Sequence, residues 1–259
     1  MQRLVSISIL GLLIFVGLSA QTYDAIESTY ESANAQYNAG NFAQAAQLYE
    51  QLLDSADFGD EQAYIYYNLG NAYFRVNELG KSILNYERCL RLQPGNKDAR
   101  YNLEFAQSKI IDNIDQGNTF FLSQWITTLR NTQTYRIWMW LSIGLFILCL
   151  VSLLVFLFTR PIALRKTGFH IAWLAFLFSL CSLALATAAY NHRNDKNEAI
   201  VMQGIVNVKS SPDRSGTDLF TLHEGTKVRV SDRVGEWVEI RVGDNIGWLR
   251  EDNIEYIVH

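Results

Sequence analysis

The chain has 259 residues, 49% of them hydrophobic and 19% charged, with a formal net charge of −4. Its charges are unevenly placed: residues 21–116 hold 14 acidic and 7 basic side chains, residues 193–259 hold 12 and 9, and residues 117–192 hold five basic and none acidic. The acidic excess of both polar blocks excludes a nucleic-acid partner, which needs a basic footprint, and three scattered cysteines with four histidines in no ligand spacing predict neither a disulfide framework nor a metal or other cofactor.

The first twenty residues predict an export signal. Arg3 supplies the positive start, Leu4 to Leu18 an apolar stretch, and Ser19-Ala20 small residues for cleavage. Leu18, three residues before that cut, leaves a retained amino-terminal anchor as the alternative. Either form exports the polypeptide behind it.

Residues 21–116 predict an all-α domain. From Ala63 to Asn96, Tyr66, Leu69, Gly70 and Tyr73 share one helical face; Leu79 follows a turn; Ser82, Tyr86 and Cys89 face back from a second helix that stops at Pro94. This unit (63–96) resembles the tetratricopeptide repeat, with Asn77 where glycine is usual and Ser82 where alanine is usual. A weaker copy (26–59) carries Ala33, Gly40, Phe42, Ala45 and Tyr49 at matching offsets, with three residues inserted around Ser55 to Asp60, and 97–113 predicts a capping helix.

A solenoid of such repeats presents a groove lined by first helices. Its candidates here are Tyr30, Asn34, Tyr37, Tyr67, Asn68, Asn71, Phe74, Arg75, Tyr101, Asn102 and Phe105, whose amides suit an extended peptide backbone and whose rings suit apolar contact. The same residue types are also common in the repeat for packing reasons. The carboxylate clamp of some relatives needs basic groove residues where Tyr30, Asp98 and Asn102 stand, so although Asn34 and Asn68 match its amides, recognition of a free carboxyl terminus is not expected.

In the linker 117–136, Phe121, Trp125 and Leu129 recur every fourth residue beside Arg130, which suits an interfacial helix or a helix packed on the soluble domain. Residues 137–158 and 171–190 carry no charge and are each long enough to cross about 30 Å of hydrocarbon. The intervening loop, 159–170, holds Arg160, Arg165 and Lys166 and is placed in the cytoplasm by its charge. This cue agrees with the export signal: two spans in the inner (cytoplasmic) membrane, with both polar domains periplasmic or otherwise extracytoplasmic.

From residue 198 to 259 the period becomes two. Ile205 to Val208, Lys227 to Val230, Trp237 to Ile240 and Ile246 to Leu249 predict short strands between turns at Ser211-Pro212, Glu224-Gly225, Val234-Gly235 and Asp244-Asn245, about five strands in a small all-β barrel. The run Val206 to Pro212, with Leu222 to Thr226, Trp237-Val238 and Gly247-Trp248-Leu249, resembles the bacterial SH3-like domain. That resemblance makes Ser211, Trp237 and Trp248 candidates for a binding face, Trp237 having a core position as its alternative. His223 is expected in an exposed turn, and no nucleophile signature points to wall-hydrolase chemistry.

The order of signal, tetratricopeptide solenoid, two transmembrane helices and SH3-like barrel describes a multidomain membrane protein and resembles the Bacteroides aerotolerance operon protein E (BatE) family. The resemblance implies an envelope system with von Willebrand A-type membrane proteins and a MoxR-type ATPase, linked to stress or oxygen tolerance. The expected function is a non-enzymatic adaptor binding proteins or peptides, including other Bat membrane proteins; an envelope sensor binding cell-wall fragments through the barrel is the alternative.

Overall fold

The computed structural model describes residues 25–55, 58–112 and 121–258; the expected export segment lies outside them. Five helices come first: α1 (25–38), α2 (Phe42–Ser55), α3 (Gln62–Arg75), α4 (Leu79–Leu92) and α5 (Lys97–Gln107). Ala33, Ala45, Tyr49, Leu52, Leu69 and Ala72 form the core of the first three, and Ala63, Cys89 and Ala99 join α3, α4 and α5. Burial pushes the Cys89 thiol up to about 12, so this cysteine acts as a small apolar filler rather than a nucleophile.

Two residues that depart from the usual repeat pattern have local explanations. Asn77 ends the α3–α4 turn at φ 63°, a left-handed conformation that asparagine tolerates in place of glycine. Ser82 is fully buried and its hydroxyl donates to the Gly70 carbonyl at 2.9 Å. Gly70 itself is required by close approach, since a Cβ there would lie 2.7 Å from the Tyr86 ring.

Helix α6 (Phe121–Arg130) leads into α7 (Tyr135–Phe158) and α8 (Ile162–Arg193), two helices long and apolar enough to cross a membrane. The expected loop 159–170 is corrected to residues 159–161. Arg165 and Lys166 mark a charged stretch, but straight-chain cations are good helix formers and do not end a helix. The hairpin is packed inside out. Its buried residues are small: Ser142 and Ser152 of α7, and Gly168, Ala172, Ala175, Ser179, Ser182, Ala186 and Ala189 of α8, while Leu, Phe, Ile and Trp face outward. The α8 seam alternates steps of four and three, the spacing of left-handed helix pairs. Ser142 and Ser179 each donate a hydroxyl to the other's carbonyl at 3.0 Å, and Ser182 donates to the Trp138 carbonyl at 2.8 Å.

The carboxy-terminal sheet domain has seven strands rather than about five: β1 (Glu198–Val201), β2 (Ile205–Lys209), β3 (Asp218–His223), β4 (Lys227–Val234), β5 (Trp237–Val242), β6 (Asn245–Arg250) and β7 (Ile254–Tyr256). They form an antiparallel sheet in the order β3-β2-β6-β5-β4-β1-β7 around Val201, Val208, Val238, Ile240 and Leu249. Strand β1 is buried on both faces: Ala199 and Val201 point into the barrel, whereas Ile200 joins Ile257 in a cluster with Ile83, Leu84, Tyr86, Leu103 and Ala106 of the helical domain. The two polar domains therefore share a core, at the end of the hairpin where α7 begins and α8 ends.

Candidate functional site

On the helical domain an open cleft of about 300 Å³ is lined by Tyr37, Asn71, Phe74, Arg75, Tyr86, Tyr101, Asn102 and Phe105. Seven of these eight are among the residues expected in a groove; Tyr86 comes from the second helix and was expected only as packing. Its hydroxyl donates to Asn71 Oδ1 at 2.7 Å, and Asn102 Nδ2 donates to the same oxygen at 2.8 Å, so α3, α4 and α5 are tied together across the cleft floor. The walls are aromatic. Phe74 and Phe105 meet at 5.6 Å between ring centroids, and Tyr37 contacts Phe42 edge-on at 5.1 Å. The exposed Arg75 guanidinium lies 4.0 Å over the Phe42 ring, and no carboxylate among the described residues pairs with it.

The remaining groove candidates are spent within the stack. Tyr49 donates to Asn34 Oδ1 at 2.6 Å, and Asn68 Nδ2 donates to the Tyr30 hydroxyl at 3.1 Å. Tyr67 packs against the Tyr86 ring at 6.3 Å, as Tyr30 packs against Tyr49 at 6.2 Å. The pairs Tyr49–Asn34 and Tyr86–Asn71 are related by a shift of 37 positions and make the same bond, which shows structurally that the upstream helices copy the downstream unit. These residues were therefore legible as repeat positions, but their second duty is packing.

The SH3-like candidates divide differently. In β5, Val238 and Ile240 are buried, so the alternating Trp237 lies on the opposite face and is half-buried; the core position is corrected. Trp237 stands opposite Arg250 and Trp248 opposite Glu239, which puts both indoles on one outer face as diagonal neighbours. Lys209 lies opposite Trp248 and is held by Asp218 at 2.9 Å. Ser211 lies in the β2–β3 loop, where its hydroxyl donates to Asp213 at 3.0 Å.

His223 is also corrected from an exposed turn. Its backbone N–H donates to Asp112 Oδ2 at 2.7 Å, its ring Nδ1 lies 2.6 Å from Asp112 Oδ1, and the buried Thr226 hydroxyl donates to Oδ2 at 2.6 Å. Burial acts to raise the Asp112 pKa, but the hydrogen bonds from Thr226 and His223 and the His223 charge outweigh it and hold the carboxyl below its ordinary value. Next to it, Glu224 Oε1 accepts from the Gly80 N–H at 2.7 Å, capping α4 from the other domain. The Leu222–Thr226 run is thus an interdomain contact.

A second contact is ionic. Arg91 of α4 is buried and bonds to the His192 carbonyl and to Glu198. Glu198 also meets Lys227 at 2.7 Å, and Lys227 meets Glu87 of α4 at 3.1 Å. For Glu198, burial acts upward but Lys227 and Arg91 outweigh it and keep its pKa low; for Lys227, burial acts downward but Glu87 and Glu198 raise it. At the hairpin end, Asp60 takes Arg136 of α7 at 3.0 Å and Arg193 of α8 at 2.6 Å. None of these residues was expected to pair between the domains, because charges on a helix face, at a strand start or in a turn read as solvated.

Residues 63–96 match the family model of the tetratricopeptide repeat, and residues 204–255 match that of the bacterial SH3 domain. No curated protein matches the chain. The chain thus carries two domain types that point to protein binding or cell-wall binding, on either side of two helices apolar enough to span a membrane.

Proposed function

We propose that the protein is a non-enzymatic adaptor anchored in the inner membrane by the α7–α8 hairpin, with both domains extracytoplasmic, and that the cleft at Asn71, Phe74, Arg75 and Asn102 holds a segment of a partner protein. The observation that carries this reading is the cleft itself: aromatic walls and two asparagines around an arginine that has no carboxylate partner among the described residues suit an extended peptide with an acidic residue. The inside-out packing of the hairpin supports the membrane anchor, because large apolar residues directed outward need lipid around them. The exposed Trp125, Ile126 and Leu129 of α6 suit the bilayer interface. The order of domains supports the finer reading, a place in a Bat/MoxR-type stress or aerotolerance system with other Bat membrane proteins as partners.

The test is a photo-reactive residue at Tyr101 in the full-length protein in cells. It should capture a partner, and Arg75→Glu or Asn102→Ala should reduce the capture at least five-fold with the protein level unchanged. Capture that ignores both changes rejects the cleft. Point variants are needed because deleting either domain would expose Ile200 and Ile257. The second reading, an envelope sensor, is favoured by the outer Trp237–Trp248 face, which suits stacking on cell-wall sugars. Co-sedimentation of the protein with peptidoglycan, lost in Trp248→Ala, would support it.

A further inference from the structure

The two ends of the α7–α8 hairpin treat their cations differently. At the domain end, Arg136 and Arg193 are neutralised by Asp60. At the turn end, Arg165 and Lys166 have no ion-pair partner among the described residues, and residues 117–192 contain no acidic side chain that could provide one. These two cations line an open cleft of about 440 Å³ with Phe156, Ile162, Phe169 and His170. Arg165 lies 5.6 Å from the Phe156 ring centroid, Phe156 meets Phe169 at 5.6 Å, and Phe169 meets the His170 ring at 5.7 Å. Gly168 lets these walls converge, since a Cβ there would lie 3.0 Å from the Ser152 carbonyl and 3.1 Å from the Phe156 nitrogen.

We infer that this turn-end cleft binds the phosphate headgroup of an anionic membrane phospholipid. The inference rests on the membrane anchor proposed above, not on the partner cleft. The chemistry needs both halves of the ligand: Arg165 and Lys166 supply the charge a phosphodiester requires, and the Phe156–Phe169 floor, continuous with the outward apolar side chains of the hairpin, receives the glycerol and the first acyl carbons. A free phosphate would meet the cations but leave the aromatic floor uncovered. A zwitterionic headgroup would bring its own ammonium into a site that already holds two cations.

The experiment uses the full-length protein in nanodiscs of phosphatidylcholine, with fluorescent phosphatidylglycerol or fluorescent phosphatidylcholine as the probe. Each of the two cations that line the cleft and touch the headgroup contributes a factor of about five, so phosphatidylglycerol should be preferred by roughly 25-fold. Arg165→Gln with Lys166→Gln should reduce the preference to within about two-fold of unity, whereas Arg160→Gln, outside the cleft lining, should leave it within about two-fold of the parent. Phe169→Ala should weaken phosphatidylglycerol binding about five-fold through the lost apolar contact. Equal binding of both lipids, or an Arg160→Gln loss as large as that of the double variant, overturns the site in favour of none or of diffuse surface charge. Displacement of the lipid by inorganic phosphate overturns the lipid as ligand. Extraction of the protein from membranes by alkaline carbonate overturns the anchor and this site together, whereas a retained anchor with no lipid preference rejects the site alone.

Discussion

Replacing Asp112 with alanine should release the barrel from the helical domain at one edge. Three interactions end on this carboxylate: the His223 N–H at 2.7 Å, the His223 ring at 2.6 Å and the Thr226 hydroxyl at 2.6 Å. The substitution leaves the His223 N–H and the fully buried Thr226 hydroxyl without their acceptor. At about 1–2 kcal/mol for each of the two donors left stranded, the partly exposed His223 ring being free to turn to water, and reduced because Asp112 keeps some solvent contact, opening of the Leu222–Thr226 turn becomes easier by about 2–3 kcal/mol, or roughly 30- to 150-fold. Hydrogen exchange of the full chain reads this opening directly. Protection of the 222–226 amides should fall by that factor, and the start of α4 should follow, because Glu224 caps Gly80 from the same turn. Adding Thr226→Val removes one stranded donor and should restore about three- to ten-fold of the protection. Protection of both segments within about two-fold of the parent in Asp112→Ala would refute the reasoning, since it would mean that the turn is held without the carboxylate.

Three further outcomes rest on the same packing. Gly70→Ala forces a Cβ against a Tyr86 ring that its hydroxyl bond to Asn71 prevents from swinging away; about 1–3 kcal/mol of strain should lower the Tm of the helical domain by roughly 5–15 °C, while Gly144→Ala, with open space around it, should leave the Tm unchanged. Acid should loosen the domain contact: Asp112 and Glu198 have lowered folded pKa values, so their stabilisation is present above the unfolded values of about 4 and is lost as pH falls below them through the folded values. Cross-linking between α4 and β7 as a function of pH would show this loss below about pH 4, and a contact that stays at its neutral-pH strength well below about pH 4 would contradict it. Ser142→Ala with Ser179→Ala removes the reciprocal serine bonds and should weaken α7–α8 pairing by about 1 kcal/mol in bilayers, measured by energy transfer between labels on the two helices.

Much of this molecule is legible in the order of its amino acids because it rests on local periodicity. The 37-residue shift from Gly40 to Asn77 announces the repeated helix pair, and both residues take positive φ in the structure. Uncharged runs announce the hairpin, and period-two segments announce the strands. The cleft is legible for the same reason, since repeat positions place Asn71, Phe74 and Asn102 on one surface once the helices stack.

The union of the two domains is a different matter. Helix α4 carries Glu87 and Arg91 on what reads as its wet side, and only the fold brings Lys227 and Glu198 against them. Ile200 is one strand residue among several until β1 is flanked by β4 on one edge and β7 on the other and its outer face meets Ile83. Trp237 could be placed only when the register put Val238 and Ile240 inside the barrel. Periodicity is a property of neighbours along the chain, so it determines which face of an element is apolar. Charge pairing across more than a hundred residues, as between Arg91 and Glu198, depends on which elements meet, and that is decided by the tertiary structure alone.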